Sequence, residues 1–256
     1  MSGKELEHII LKINEAELVL VGLGEELDLT RKIKVEEEYV LPDENKSLAS
    51  FYKKKMLDKI QHRNREMYEN LAKCLKDKNY FIVSVCMDGT IRNSTLNKER
   101  IVEPCGNYER MQCSEKCTND LYELPQEFLR RLKENTQKEE KSSMLPRCPH
   151  CKKPLIFNNV EAENYVEEGY LEQWMLYKKW LQGTVNKNIC ILELGVGMKY
   201  PTVIRWPFEK VTFFNQKAEL VRVHSRLYQM AEEIKDRGYG ICQSPEDFLK
   251  ELSNGF

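Results

Sequence analysis

No stretch of this 256-residue chain is apolar over anything near the roughly 20 residues that a membrane-spanning helix requires, so no membrane partner is expected. Net charge is nearly absent as well. Forty Lys+Arg against 41 Asp+Glu leave a formal charge of -1, which gives no general attraction to nucleic acid or to an anionic surface. Histidine is scarce, with only His8, His62, His150 and His224, so imidazole chemistry at neutral pH has few places to sit. There is no internal repeat. The opening MSGKELEHIILKINEAEL alternates acids with apolar residues and has no uninterrupted secretory core. Cysteine, by contrast, is plentiful: nine residues, an odd number, four of them clustered. That pattern argues against a disulfide framework and for a reducing, cytoplasmic setting.

The remaining sequence reads as strands alternating with helices. Ser2 with Glu5 forms a capping-box pattern that opens a helix through about Asn14. Leu18 to Val21 is a short apolar run feeding Gly22-Leu23-Gly24. Ser47 to Lys78 has apolar residues at helical spacing and predicts one long helix or two in succession. Tyr80 to Cys86 is a second strand, and Glu167 to Leu181 a further helix. Ile189 to Leu194 is a strand that runs into Gly195-Val196-Gly197. Val211 to Phe214 and Leu220 to Val223 are further strand expectations, and Ser225 is placed to cap a helix ending before Gly238. Ser244-Pro245-Glu246-Asp247 is a strong helix start, with proline at the first helical position. Such alternation predicts an α/β fold, a mainly parallel sheet with helices on both faces. In open sheets of this kind ligands sit beyond the carboxyl ends of the strands. Both Gly-x-Gly turns, and the segment after Cys86, fall at such ends.

The middle of the chain changes character. Residues 105–160 hold few apolar runs, a polar linker from Asn135 to Ser143 that reads as a surface loop, and two cysteine pairs. The pairs are Cys113 with Cys117, and Cys148 with Cys151. Tetrahedral zinc takes four thiolates from two tight turns, and both spacings lie in the usual range. Four protein ligands leave no open position, so the expected zinc is structural. His150 lies inside the second pair and reads as a turn residue.

Just before the quartet stands Glu103-Pro104-Cys105-Gly106-Asn107. This order resembles the sirtuins, in which a His-Gly pair precedes the first zinc cysteines; here the pair reads Cys105-Gly106. The resemblance extends over about residues 18–252. Gly22-Leu23-Gly24 stands where sirtuins have G-A-G, although Glu25 and Glu26 follow. Those acids either lie near a bound pyrophosphate or cap their own helix dipole. Ser84 to Gly89 matches T-Q-N-I-D-G at Asp88 and Gly89, with Val85 and Cys86 in place of glutamine and asparagine. The resemblance gives Asp88 the task of recognising a nicotinamide amide; its alternative is that of a turn residue. Gly195-Val196-Gly197 stands for G-T-S without the two hydroxyls, leaving backbone N–H groups as possible anion donors. His224 takes the place of an asparagine that meets the adenosine ribose, or else caps a strand end.

The resemblance implies a Rossmann-type domain (residues 1–104 and 161–256) with an inserted zinc-ribbon module (105–160). It also implies an NAD or ADP-ribose ligand held by Gly22, Gly24, Cys86, Asp88, Gly195, Gly197 and His224, with Cys105 and Asp88 at the reacting centre. A thiol in the histidine's place is a poor general base, so ordinary lysine deacetylation is not expected. Cys105 has three readings: an inert buried thiol, a redox-sensitive site, or a nucleophile toward an ADP-ribosyl cation. ADP-ribosyl transfer or NAD cleavage onto a protein substrate is the leading expectation. The alternative is a catalytically silent scaffold or ligand sensor for a protein partner.

Overall fold

The computed structural model describes residues 3–33, 46–125, 127, 128, 130 and 145–256. Ser2 and the linker from Asn135 to Ser143 lie outside these residues. Helix α1 (Gly3–Glu15) is followed by β1 (Leu18–Leu23), α2 (Lys46–Ile60), α3 (Arg65–Cys74) and β2 (Asn79–Ser84). The helical stretch from Ser47 is therefore two helices, separated by a 3-10 turn at Gln61–Asn64. The short β3 (Ile101–Val102) precedes a small antiparallel unit of β4 (Gly106–Cys113), β5 (Tyr122–Glu123) and β6 (Leu155–Asn159). Helix α4 (Glu168–Gln182), β7 (Ile189–Leu194), α5 (Arg205–Phe214), β8 (Ala218–Val223), β9 (Gly238–Ile241) and α6 (Pro245–Ser253) complete the chain.

The large sheet has the order β3-β2-β1-β7-β8-β9 and every pairing in it is parallel. All six residues of β1 and of β7 are buried, which is why these strands read as near-continuous apolar runs, broken in β7 by Glu193, rather than alternating ones. One face packs Ile9, Leu71, Phe248 and Leu252 from α1, α3 and α6 against Val19, Val21, Leu192 and Val221. The other face packs Leu20, Phe81, Ile191 and Leu220 against Phe51, Tyr177, Phe208 and the small sheet. The fold is thus the expected parallel sheet covered on both sides.

Two expectations are corrected. Val211 to Phe214 lies in α5, because the buried residues Arg205, Phe208 and Thr212 recur at helical and not at strand spacing. Ser225 does not open a long helix; the region holds only a 3-10 segment, Glu232–Arg237, with Ile234 as its buried residue. One buried side chain in six cannot anchor an amphipathic helix. Ser244 does cap α6, its hydroxyl accepting from the Asp247 N–H at 3.1 Å.

Candidate functional site

Strand order reverses between β1 and β7. The chain leaves β1 toward β2 and β3, and returns later to the other side through β7 and β8. The crevice beyond the carboxyl ends of such a neighbouring pair is where open parallel sheets hold ligands. The two glycine turns meet here. Gly24 donates its N–H to Leu194 O at 2.8 Å, and a Cβ on Gly24 would lie 2.2 Å from Val196 Cα. Glycine at position 24 therefore serves first to let two backbones touch. Gly22 lies deeper, where a Cβ would meet Ile204, the residue before α5, at 2.4 Å.

The acids after Gly24 are not on a helix. Glu25 is buried, and its carboxylate accepts from the Gly197 N–H at 2.6 Å and the Lys199 N–H at 3.1 Å. Glu26 reaches the next strand end, accepting from the Ser225 N–H at 3.2 Å. Each acid thus satisfies backbone donors of the loops after β7 and β8, and neither caps its own segment's dipole. Gly195 donates its N–H to Val223 O at 2.8 Å and so belongs to the same stitched set of strand ends. His224 Nδ1 accepts from the N–H groups of Arg226 and Leu227, at 3.0 and 3.1 Å. That fixes the ring's proton on Nε2, and burial, opposed by the Glu26 charge, holds its pKa below the usual imidazole value.

Beside this crevice the end of β2 carries a buried acidic pair. Asp88 accepts at Oδ2 from the Leu29 N–H (2.8 Å) and at Oδ1 from the Thr90 N–H (2.8 Å) and hydroxyl (2.6 Å). Asp28 caps the 3-10 turn Leu29–Lys32 through Thr30 N–H and takes the Met87 N–H at 3.1 Å. The two aspartates cross-link the β1 loop to the β2 loop. Burial first, and the Asp28 charge second, raise Asp88 to about 6. Asn64 joins them, its amide donating to Leu27 O and lying within reach of Asp88 and Thr90. Asp88 is accordingly both a turn residue at Gly89 and the centre of a polar cluster. Cys86 beside it is buried, with its thiol donating to Gly24 O, and burial pushes it well above the usual thiol range.

Cys105 is buried as well. Desolvation, followed by the Glu25 charge, raises it to about 12, so at neutral pH it is a thiol and not a thiolate. Its neighbour Gly106 has φ +63°, and a Cβ there would come 2.2 Å from Asn158 O; the glycine of the Cys-Gly pair is required by the close approach of β4 to β6. The same wall carries Tyr108, whose hydroxyl donates to Glu161 at 2.6 Å, with Lys53 3.3 Å from Glu161 and over the Tyr108 ring.

The four cysteines converge. The Sγ atoms of Cys113, Cys117, Cys148 and Cys151 all lie within 4.8 Å of one another, with Cys113–Cys151 at 3.4 Å and Cys117–Cys148 at 3.5 Å. Four sulfurs about 2.3 Å from one tetrahedral ion would be about 3.8 Å apart, so the quartet fits a metal ion. Each pair sits on a tight turn closed by a left-handed lysine. Lys116 donates its N–H to Cys113 O and Lys152 to Cys148 O, with φ of 47° and 63°. Burial works against the Cys148 thiolate, but the backbone N–H groups of Cys151 and His150, together with the Cys117 and Cys151 thiols, lower its pKa below the usual thiol value. His150 points to Asp120 at 3.3 Å.

Comparison with known proteins follows this geometry. No family model matches the chain. Among solved structures, one from a study of sirtuin substrate affinity superposes with a TM-score of 0.60 and 16% identity, covering 98% of both chains. Sir2Tm bound to a propionylated peptide gives a TM-score of 0.58 and 15% identity over 99% of this chain and 98% of its own. This is a divergent sirtuin fold. Among curated sequences, a protein ADP-ribosyltransferase of Staphylococcus aureus (strain Mu50) is 24% identical across 67% of this chain and 55% of its own length. A probable bifunctional ADP-ribose hydrolase/ADP-ribosyltransferase of Fusarium oxysporum f. sp. cubense is 28% identical across 70% of this chain and 32% of its own. The sirtuin-like chain thus spans about half and about a third of the length of these two relatives.

Sequence reasoning did not foresee Asp28, Asn64 or Thr90, nor the long reach of Glu25. Asp28-Leu29-Thr30 carried a signal, since Asp two residues before Thr is a capping pattern. Asn64 and Glu25 act across 37 and 172 residues of chain, and no local pattern announces such contacts.

Proposed function

We propose that this chain binds NAD or ADP-ribose in the crevice beyond β1 and β7 and, where it acts on them, transfers or releases ADP-ribose rather than deacetylating lysine. One observation carries the reading. A carboxylate, Glu25, sits on the N–H groups of Gly197 and Lys199 at the point where strand order reverses, so the donors there suit an anionic oxygen. The sirtuin fold and relatives named as ADP-ribosyltransferases support the same direction. One of the similar structures is a Sir2 protein with an acetyl-ADP-ribose, superposing with a TM-score of 0.56 at 15% identity.

NAD would bring its own labile glycosidic bond; the chain's task is to hold and orient it. The Gly22-Leu23-Gly24 and Gly195-Val196-Gly197 turns would line the diphosphate path. The His224 Nε2 N–H, the ring's one uncommitted polar atom, would face a ribose hydroxyl. Asp88 and Cys86 would border the nicotinamide end, Asp88 acting mainly by fixing both loops. Cys105 held near 12 is no base at pH 7, which is why acyl removal is excluded from the proposal. The quartet Cys113, Cys117, Cys148 and Cys151 would hold zinc as a structural ion, and residues 105–160 would form one module around it. A protein is the natural acceptor. The compartment would be the cytoplasm, in keeping with nine free cysteines; among the described residues no helix is long and apolar enough to cross a membrane.

Calorimetry with ADP-ribose and NAD tests the binding. Heat of association is expected for at least one of them at millimolar concentration; no association with either ends the proposal. Nicotinamide release is then compared between the native chain, Cys105→Ala and Asp88→Ala. A buried neutral thiol predicts a rate in Cys105→Ala within about twofold of native, whereas Asp88→Ala, which unties both loops, is expected to lose at least tenfold.

A further inference from the structure

The anion donors at the centre of the crevice are already in use. Glu25 follows β1 and is buried, yet its two oxygens cross to the loop after β7 and take the N–H groups of Gly197 and Lys199. Gly197 is what permits the approach, since a Cβ there would lie 3.1 Å from the Glu25 carboxylate. A cation stands close by. Arg205, buried in α5, donates to Val196 O of the same loop at 2.8 Å, lies 3.3 Å from Glu193, and has an Nε without a hydrogen-bond partner among the described residues. Lys199 follows in the same loop, with its ammonium 5.0 Å from the centre of the Tyr200 ring. The carboxylate therefore has the partners that a phosphate oxygen would require: two converging backbone N–H groups, on a loop that the Arg205 guanidinium also holds.

We propose that Glu25 is a built-in occupant of this anion site, and that the diphosphate of a nucleotide ligand binds the chain only by displacing it. This deepens the ADP-ribose reading above and rests on it for the identity of the ligand. Two anions cannot share two N–H donors, so ligand and carboxylate compete, and the apparent affinity falls by the fraction of molecules in which Glu25 is seated. Two hydrogen bonds to backbone donors of a distant loop hold the Glu25 side chain, and these are the bonds that displacement breaks. Residues that swing Glu25 out, or a protein acceptor that recruits it, would raise affinity without touching the nucleotide.

Two variants and two probes test the idea. Inorganic pyrophosphate and ADP-ribose are titrated into the native protein, Glu25→Gln (same shape, no charge) and Glu25→Ala (donors freed), each checked for native-like melting. The amide resonances of Gly197 and Lys199 are followed in the native protein. The expected result is that pyrophosphate and ADP-ribose both bind Glu25→Ala at least tenfold more tightly than the native chain, with Glu25→Gln between them. The native Gly197 and Lys199 amides should shift on saturation as the carboxylate leaves. Equal pyrophosphate affinity in all three proteins overturns the proposal, as does the failure of pyrophosphate to bind any of them. Tight pyrophosphate binding to Glu25→Ala with no ADP-ribose binding upholds the role of Glu25 and ends the ADP-ribose reading. ADP-ribose binding with unmoved Gly197 and Lys199 amides does the reverse. If neither variant folds, the amide shifts of the native protein decide alone.

Discussion

Asp88 shows how one buried side chain can make a loop junction sensitive to pH. Its oxygens accept from Leu29, Thr90 and Asn64, so it ties the β1 loop to the β2 loop. Burial and the neighbouring Asp28 nevertheless hold it near 6, above the ordinary 3.8. An acid whose folded pKa is raised binds protons more tightly in the native state. Its contribution to stability is therefore complete below about 4 and is lost as pH rises through about 6. Urea unfolding between pH 4 and 6 should show native stability falling with pH, on the order of 1–2 kcal/mol from this group after allowance for its coupling to Asp28. In Asp88→Asn that component of the slope should vanish. The variant should also be less stable at pH 4, by about 1–3 kcal/mol, because an amide donor would face the N–H groups of Leu29 or Thr90. An unchanged slope would show that Asp88 does not titrate in this window.

Among the elements, β7, β8 and α5 are joined by ions in a place where an apolar contact would be ordinary. Glu193 and Arg222 are register partners on adjacent strands. Arg222 is 1% exposed and meets Glu193 through two N–H donors, at 2.7 and 3.0 Å. It also bonds Glu209 of α5 at 2.8 Å and Gln229 O at 2.7 Å. Arg205, one turn earlier on α5, donates to Val196 O and Leu227 O and so holds the loops after β7 and β8. Removing Arg222 leaves buried Glu193 with Arg205 at 3.3 Å as its remaining cation among the described residues, and Arg222→Met should cost about 3 kcal/mol. Adding Glu193→Leu should recover only part of that loss, since an apolar pair is often neutral but Arg205 then loses its carboxylate. Chemical denaturation of the two single variants and the double variant checks this; additive losses would mean that the two charges are not coupled. The strands themselves were legible in the sequence. Leu18 to Val21 and, but for Glu193, Ile189 to Leu194 announce buried parallel strands by their apolar runs, and Ser244-Pro245 announces α6 by its capping chemistry. Glu193 is the one acid inside its apolar run, and its partner Arg222 lies 29 residues away, so spacing does not pair them. Val211 to Phe214 misled because β-branched and aromatic residues favour strands, whereas here the contact of Phe208 with Gly22 of the sheet decides for helix. At the crevice the glycines were legible as turns. Their reason was not, because Gly24 meets Val196 across more than 170 residues.

Across the whole molecule the small sheet and the large one share one core and not the other. Phe157 of β6 packs on Phe51 of α2 at 4.8 Å and on Tyr108 of β4 at 5.0 Å, within the cluster that reaches Phe81 and Ile191. Cys113 and Cys148 belong to that same cluster. The opposite core, built from α1, α3 and α6, contains no residue of β4, β5 or β6. A four-thiolate metal site couples its binding energy, about 10–16 kcal/mol for small zinc modules at neutral pH, directly to the folding of the segment that carries it. Stripping the ion, or removing one ligand with Cys148→Ser, should therefore melt β4–β6 and loosen α2 while leaving α1, α3, α6 and their face of the sheet protected. Hydrogen exchange resolves the two: amides of β4 and β6 should exchange within the shortest labelling times after chelation, and those of β1, β7 and β8 should stay protected by most of the global stability. Because Cys105 leads into β4 and Gly106 and Tyr108 lie at its start, the chelated protein should also lose the wall of the crevice, and with it any ADP-ribose binding, before the parallel sheet unfolds. Equal loss of protection across both sheets would mean that the metal supports one indivisible cooperative unit. Unchanged protection in β4 and β6 would mean that the four sulfurs contribute no metal-linked stability at all.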